Sequence, residues 1–269
     1  MSKVIGFIGC GNMGSAMLGG LISSGFQKAE DIIVSTHTEA SAKKIEEKFN
    51  VKTKASNIEV AEEADVIILA VKPNMYKAIV DEIKPKINGE KLIITIAAGI
   101  TIGDMEYWLG EGCKIVRAMP NTPALVGEAM SAVCPNSYVS EEELNYVFNI
   151  FNSFGKCTQL AEKDFHGFTA LCGSSPAYIF MFIEAMADGA VKTGIPRAKA
   201  YEMAAQSLIG SAKMVLETGK HPGELKDMVC SPAGTTIDAV VELENLGFRG
   251  AVISAIDKCA EKSKAMQKK

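Results

Sequence analysis

The sequence predicts an α/β fold, with an N-terminal doubly wound parallel sheet of the Rossmann type followed by an all-helical C-terminal domain. Three features carry that expectation. Apolar β-rich runs alternate with helical segments up to about residue 160, and strands that recur with helices between them make a parallel sheet with right-handed crossovers. The first run turns into its helix through Gly9-Cys10-Gly11-Asn12-Met13-Gly14, the G-x-G-x-x-G spacing of a dinucleotide-binding turn. From about Glu162 onward the strand pattern stops and long helical segments take over. The expected division is residues 1–162 and 163–269.

The strands expected in order are Val4–Ile8, Asp31–Ser35, Asp65–Val71, Lys91–Ala97 and Cys113–Ala118, with a shorter one near Val51. Near-continuous apolar runs such as Val66-Ile67-Ile68-Leu69-Ala70-Val71 suit strands covered on both faces. The small and apolar residues Ser15-Ala16-Met17-Leu18-Gly19-Gly20-Leu21-Ile22 suit a helix lying on that sheet. In the second half Ser175-Pro176 reads as an N-cap with proline at the first helical position, and Gly194 as the stop. Further helices fit Arg197 to Glu217 ending at Gly219, Thr236–Asn245 and Arg249–Gln267. The helix from Pro176 to Lys192 is apolar nearly all round in its first half, which implies burial on several sides. A small helical domain can hardly supply that cover alone, so helix packing between subunits is expected. The apolar stretch Ala177–Ile183 is ended by Glu184 and Asp188; it reads as a buried helix too short to span a bilayer.

Composition narrows the function classes. A charged fraction of 22% and a hydrophobic fraction of 48% belong to a soluble globular chain. A net charge of −4 argues against general nucleic-acid binding, which needs a basic face. Met1-Ser2-Lys3 runs directly into the first strand, leaving no room for a signal peptide; a cytoplasmic location is expected. The cysteines at 10, 113, 134, 157, 172, 230 and 259 form no C-x-x-C pair and no metal-ligand spacing, so they read as reduced thiols acting as small apolar residues. His37, His166 and His221 form no cluster for zinc, and no metal is expected.

In the turn that follows Ile8, the first glycine of the fingerprint allows the tight bend, the second lets backbone approach a pyrophosphate, and the third lets helix and strand pack closely. The phosphates then meet free N–H groups at the helix start. A site built for NAD places Asp or Glu about 20 residues further on, at the end of the second strand. Here that place holds Ser35-Thr36-His37. With no carboxylate to repel a 2′-phosphate, NADPH is the expected cofactor and NADH the other candidate. In doubly wound sheets ligands lie beyond the strand C-termini, which here carry Ala70-Val71-Lys72-Pro73, Ala97-Ala98-Gly99 and Ala118 through Pro123.

A second candidate site is Cys230-Ser231-Pro232-Ala233-Gly234-Thr235-Thr236, opening directly into the helix Ile237-Asp238-Ala239-Val240-Val241. Small residues, a glycine and paired hydroxyls at a helix start make a pocket of N–H groups suited to a carboxylate. The other reading is an ordinary N-cap, with Thr235 or Thr236 merely closing the helix.

These blocks, together with Arg117-Ala118-Met119-Pro120-Asn121-Thr122-Pro123, Gly173-Ser174-Ser175-Pro176-Ala177-Tyr178 and His221-Pro222-Gly223-Glu224-Leu225-Lys226-Asp227, resemble the pyrroline-5-carboxylate reductase family. The likeness runs in order over essentially the whole chain. Its departure is Ala233, where the family pattern calls for glycine, and that puts loop conformation or substrate fit in question. The resemblance implies the last step of proline synthesis, hydride transfer from NAD(P)H to the C=N carbon of 1-pyrroline-5-carboxylate to give L-proline. It also implies that Ile8, Gly9, Cys10, Gly11, Asn12, Met13 and Gly14 cradle the dinucleotide. Ser35, Thr36 and Asn57 would meet the adenosine ribose or 2′-phosphate. Ala70, Val71, Lys72, Pro73, Ala97, Ala98 and Gly99 would line the cofactor path, with Asn121 toward the nicotinamide. Glu162, Ser231, Gly234, Thr235 and Thr236 would face the substrate, with Thr236 as the catalytic hydroxyl. Family members pair through the helical domain, and many assemble five such dimers into a ring.

Reduction of a ketone needs a positioned acid to protonate the alkoxide. A cyclic imine arrives already protonated, so orientation and water exclusion suffice. The rival readings are a β-hydroxyacid-dehydrogenase-like oxidoreductase and a non-catalytic NADPH sensor. The first places a catalytic lysine on its interdomain helix, whereas here no lysine occurs before Lys192. The second has no need of an anion pocket in a second domain.

Overall fold

The computed structural model of the chain describes residues 3–267. Its strands are β1 (Ile5–Ile8), β2 (Ile32–Ser35), β3 (Lys52–Lys54), β4 (Val66–Leu69), β5 (Leu92–Thr95), β6 (Lys114–Met119), β7 (Ala129–Pro135) and β8 (Gly155–Gln159). Between and after them run α1 (Asn12–Ser23), α2 (Glu39–Phe49), α3 (Asn57–Glu63), α4 (Tyr76–Ile83), α5 (Ile102–Leu109), α6 (Glu141–Asn152) and α7 (Phe165–Phe168). The remaining helices are α8 (Ser175–Lys192), α9 (Arg197–Thr218), α10 (Pro222–Val229), α11 (Thr235–Asn245) and α12 (Phe248–Gln267). One compact unit holds the chain up to Ser174 together with its end from Cys259; the other runs from Ser175 to Lys258.

The first unit is a single sheet in the order β3-β2-β1-β4-β5-β6-β7-β8. Strands β3 through β6 are parallel, β7 is antiparallel to β6, and β8 is parallel to β7. The order reverses between β1 and β4, and the glycine turn leaves β1 at that switch point. Successive residues of each central strand feed opposite cores. Ile5, Phe7, Val66, Ile68, Leu92 and Ile94 pack with α1 and α6 through Met17, Leu21, Ile150 and Phe151. Ile8, Ile67, Leu69, Ile93 and Ile115 pack with α3, α4 and α5 through Val60, Ile79, Val80 and Met105. This two-sided burial is why these strands are apolar without alternation.

The parallel strands match the sequence expectation closely, but the sheet extends two strands further. Ala129-Met130-Ser131-Ala132-Val133-Cys134-Pro135 and Gly155-Lys156-Cys157-Thr158-Gln159 mix small, polar and proline residues, so neither carries a β-branched run. Their pairing is held by tertiary context, including the seat of Gly155 directly against the backbone of Ala129.

The helical unit follows expectation for α9, which ends at Gly219 with φ +64, and nearly so for α11 and α12. It corrects three points. Ser175 is not an N-cap, because a π-helical turn over Thr169–Gly173 leads into Ser174, itself in right-handed helical geometry. The helical run from Glu162 to Lys192 therefore spans 31 residues, so it is long and apolar enough to cross a membrane by length and composition alone. Within the chain α8 is largely uncovered: Phe180 is 64% and Met181 68% exposed, and only Pro176 and Ala187 are buried. Finally α10 forms where no helix was expected, with Pro222 in its first turn and the His221 ring nitrogen accepting from the Gly223 N–H. Within this unit α8 packs along α9, and the Phe182 and Phe248 rings lie 6.0 Å apart.

Close approach of α3 to the sheet depends on Gly6, where a Cβ would come within 2.6 Å of Val60 Cγ1 and 2.7 Å of Ala64 Cβ. Gly6→Ala should therefore lower stability by about 1–3 kcal/mol, the usual cost of overpacking. Urea unfolding checks this, and a change within error would mean that α3 shifts freely.

Candidate functional site

At the end of β1, Gly9 takes φ +81 and donates its N–H to Ser35 O at 2.9 Å. A side chain there would collide with Val71 and the Ala70 carbonyl. Gly14 lies against Ala70, its absent Cβ 3.2 Å from the Ala70 methyl. Gly11 is different, with open space within 4 Å of its missing Cβ. It is the N-cap of α1, offers no side-chain cap, and no acidic residue occupies the first turn. The first N–H groups of α1 thus face an open surface without a competing anion, the arrangement that receives a pyrophosphate. Ile8 is buried beneath this turn. Cys10 bonds within it to Ser15 at 3.5 Å, and burial pushes its thiol pKa up, leaving it an unreactive spacer.

At the ends of β2 and β3 the side chains settle differently. Ser35 is 2% exposed, and its hydroxyl donates to Asn57 Oδ1 at 2.7 Å. The Asn57 amide in turn donates to Glu82 at 2.8 Å. Ser35 therefore holds Asn57, and a carboxylate invisible to the local sequence stands one hydrogen bond beyond. Thr36 donates its hydroxyl to Thr38 O at 3.0 Å and, with His37, Lys43 and Lys54, lines an open groove. Glu39 and Glu46 line it too, and Lys43 and Lys54 are paired with Glu47 and Glu63, so the hydroxyls and lysines there share the groove with carboxylates.

The turns after β4 and β5 are pinned together by Tyr76. Its hydroxyl donates to Leu69 O at 2.6 Å and accepts from Thr95 at 3.1 Å; burial pushes its pKa up to about 12. That bond fixes the base of Ala70-Val71-Lys72-Pro73, whose Lys72 is exposed, and of Ala97-Ala98-Gly99, whose Gly99 has φ +84. Asn121 uses its whole amide internally, donating to Cys172 O and accepting from the Met130 N–H, both at 2.9 Å.

Glu162 has a structural partner set. Its Oε1 accepts from Arg117 Nη1 at 2.9 Å and from the Ile102 N–H, at the start of α5, at 2.8 Å. The Arg117 side chain is 3% exposed and Glu162 31%. The guanidinium lies 4.7 Å over the Phe165 ring, and its Nε has no partner among the described residues. Arg117, Tyr76 and Glu82 escaped sequence reasoning. Only Arg117 left a signal, as a lone charge inside the apolar run Ile115-Val116-Arg117-Ala118-Met119.

In the helical unit the candidate loop is a tight turn. Gly234 donates its N–H to Ser231 O at 3.0 Å, and the Ser231 side chain folds over Gly234 where a Cβ would stand. Gly234, not a threonine, is the N-cap of α11, and it supplies no side-chain cap. Thr235 and Thr236 are the first helical residues, and among the described residues no hydrogen bond engages either hydroxyl. The ordinary capping reading of these threonines therefore falls. Among the described residues, no cluster of three or more His, Cys, Asp or Glu is placed to hold a metal ion.

A glycine turn at the switch point of a mostly parallel sheet, followed by a helical half, defines a nicotinamide-dependent oxidoreductase. A family model for pyrroline-5-carboxylate reductase dimerisation matches residues 162–266, and one for NADP oxidoreductase, coenzyme F420-dependent, matches 4–99. The pyrroline-5-carboxylate reductase of Escherichia coli K12 is 53% identical over 268 residues, covering 100% of both chains. The crystal structure of Plasmodium falciparum pyrroline carboxylate reductase with NADP bound aligns at TM-score 0.90 and 36% identity, covering 99% of this chain and 98% of that one. The enzyme of Coxiella burnetii aligns at TM-score 0.93 and 33% identity, covering 100% of both. The chain belongs to the pyrroline-5-carboxylate reductase family.

Arg117 tests the site's internal frame. Arg117→Met should cost about 3 kcal/mol, the lower end for a broken buried pair because Glu162 keeps some water. Thermal or urea unfolding measures it; a loss below about 1 kcal/mol would show the pair to be incidental.

Proposed function

We propose that this chain reduces 1-pyrroline-5-carboxylate to L-proline with NADPH, NADH serving less well. The observation that carries the reading is the start of α11, where an uncapped N-terminus and two unengaged hydroxyls follow a tight turn. Helix N–H groups left open in this way hold a carboxylate, and residues 1–162 form the half that carries the dinucleotide.

When bound, the cofactor supplies hydride to the C=N carbon. The chain's own residues do the rest. The N–H groups of the Gly234–Thr236 segment hold the substrate carboxylate. The Thr236 hydroxyl accepts from the ring N–H of the protonated imine and follows that nitrogen as the C=N electron pair moves onto it. The iminium becomes a neutral secondary amine, so no side chain has to donate a proton in the hydride step. Ser35 acts through Asn57, and Thr36 meets the 2′-phosphate beside Lys43. Glu162 acts by holding Arg117 and the start of α5.

Residues 163–269 form the substrate and pairing half, and the protein forms a homodimer through α8, with a pentamer of dimers as the larger assembly. The exposed Ile179, Phe180 and Met181 support that pairing, since apolar patches of this kind mark interaction surfaces. All seven cysteines are free, which fits a cytoplasmic enzyme.

Thr236→Ala should lower kcat/KM for pyrroline-5-carboxylate by roughly ten- to a thousandfold, as for a lost transition-state hydrogen bond. NADPH affinity should hold; a variant with normal turnover would remove the hydroxyl from the mechanism. Phe180→Asp should shift the protein from dimer to monomer in sedimentation, because a charge inside an apolar interface is costly. A soluble dimer of normal stability would place the interface elsewhere.

A further inference from the structure

We infer that Ala233 sets how tightly the chain holds its substrate's carboxylate, by keeping the receiving turn in a backbone conformation that alanine disfavours. This rests on the role proposed above for the start of α11. Ala233 has φ 57, in the left-handed region. The other non-glycine residue with positive φ among those described is Asn50, φ 54. Asn50 ends α2 with its N–H on Glu46 O, a place and a residue type that tolerate this region.

Ala233 has no such support. It is exposed, so its methyl gains no burial, and it has no polar group to bond the local backbone. The turn demands the conformation all the same. Pro232 fixes the first central position, Ala233 is the second, and Gly234 N–H closes the turn on Ser231 O at 3.0 Å. Proline followed by positive φ is the type II arrangement, whose second central position ordinarily takes glycine or asparagine. Returning Ala233 to negative φ would open the Ser231–Gly234 bond and re-aim the N–H groups that begin α11.

The turn is therefore a two-state element next to the anion pocket. A carboxylate that binds only the closed, left-handed form draws the equilibrium toward it, and the strain appears as weaker apparent affinity. Substrate and product carry the same carboxylate, so both are weakened equally, and the product leaves sooner than it would from a relaxed turn.

The test compares the full-length wild type with Ala233→Gly and Ala233→Asn. Measured for each are KM for pyrroline-5-carboxylate, the inhibition constant of proline, KM for NADPH and Tm. Ala233→Gly should lower the substrate KM and the proline constant together by about fivefold, equivalent to ~1 kcal/mol of relieved strain, with KM for NADPH held. Ala233→Asn, larger but tolerant of positive φ, should move both constants the same way by less. Unchanged constants with a raised Tm would overturn the proposal, because the fold would then bear the strain whether or not ligand is bound. So would an asparagine variant that binds worse than wild type, since methyl bulk and not backbone would be at issue. A wild-type chain that fails to reduce pyrroline-5-carboxylate with NADPH defeats the functional reading itself, whatever the variants do.

Discussion

A charge placed in a strand that is covered on both faces has to be met, and that requirement fixes how the chain leaves the sheet in the first unit. Arg117 stands in β6 among Ile115, Val116 and Ala118, all buried. An unpaired guanidinium there would cost several kcal/mol. The chain must therefore return after β8 with a carboxylate at the right height, and it does so with Glu162. The same oxygen accepts the first N–H of α5, so one carboxylate ties together β6, the end of the β5–α5 turn and the start of the long helical run. Phe165 then lies under the guanidinium, which fixes how that run begins. A residue whose family likeness suggested contact with substrate is thus engaged in holding the frame on which cofactor turns are mounted.

The rigid and the strained parts of the molecule divide along similar lines. Around β1 every approach is close: Gly9 and Gly14 admit no side chain without moving Ala70 or Val71, and Tyr76 clamps the neighbouring strand ends. A dinucleotide that spans many contacts gains from such preorganisation. The turn before α11 is built instead around a bond between Ser231 and Gly234 and an alanine in a disfavoured conformation, so it holds its shape at some cost.

Legibility in the sequence followed burial pattern. The two-sided strands β1, β2, β4 and β5 announced themselves because they are buried along their whole length and built almost entirely of apolar residues, and the glycine turn because Gly9 and Gly14 have no room for a side chain. Strands β7 and β8 were hidden, since Ser131, Cys134, Pro135 and Gln159 carry no periodic signal and owe their pairing to neighbours. Motifs single out positions but not the hydrogen bonds their side chains make. Asn57 and Thr36 reach one strand-end region, yet the hydroxyl of Ser35 and the amide of Asn121 are committed within the chain. Those commitments join residues far apart in sequence, so no local pattern could report them. The helix at 175 was misread at its start because a π turn leaves no compositional mark, and Ser-Pro imitates a cap.

The helices begin in different ways. Thr38, Ser56, Thr101 and Ser140 each accept an N–H of the helix they precede, and His221 does the same for α10. These starts are closed by their own side chains. Pro196 leaves α9 uncapped, and that helix opens on Arg197, a cation tied to Asp188 that the positive end of the helix dipole disfavours. Gly11 and Gly234 differ from all of these. Each is a glycine with no cap to offer, and the helix it begins carries unsatisfied N–H groups with no cation beside them. At Gly11 a serine would satisfy the helix and stabilise it by a few tenths of a kcal/mol, whereas at Gly234 its Cβ would run into the Ser231 side chain. Sterics therefore hold glycine at 234, while at 11 glycine leaves the first N–H groups of α1 open to an outside acceptor.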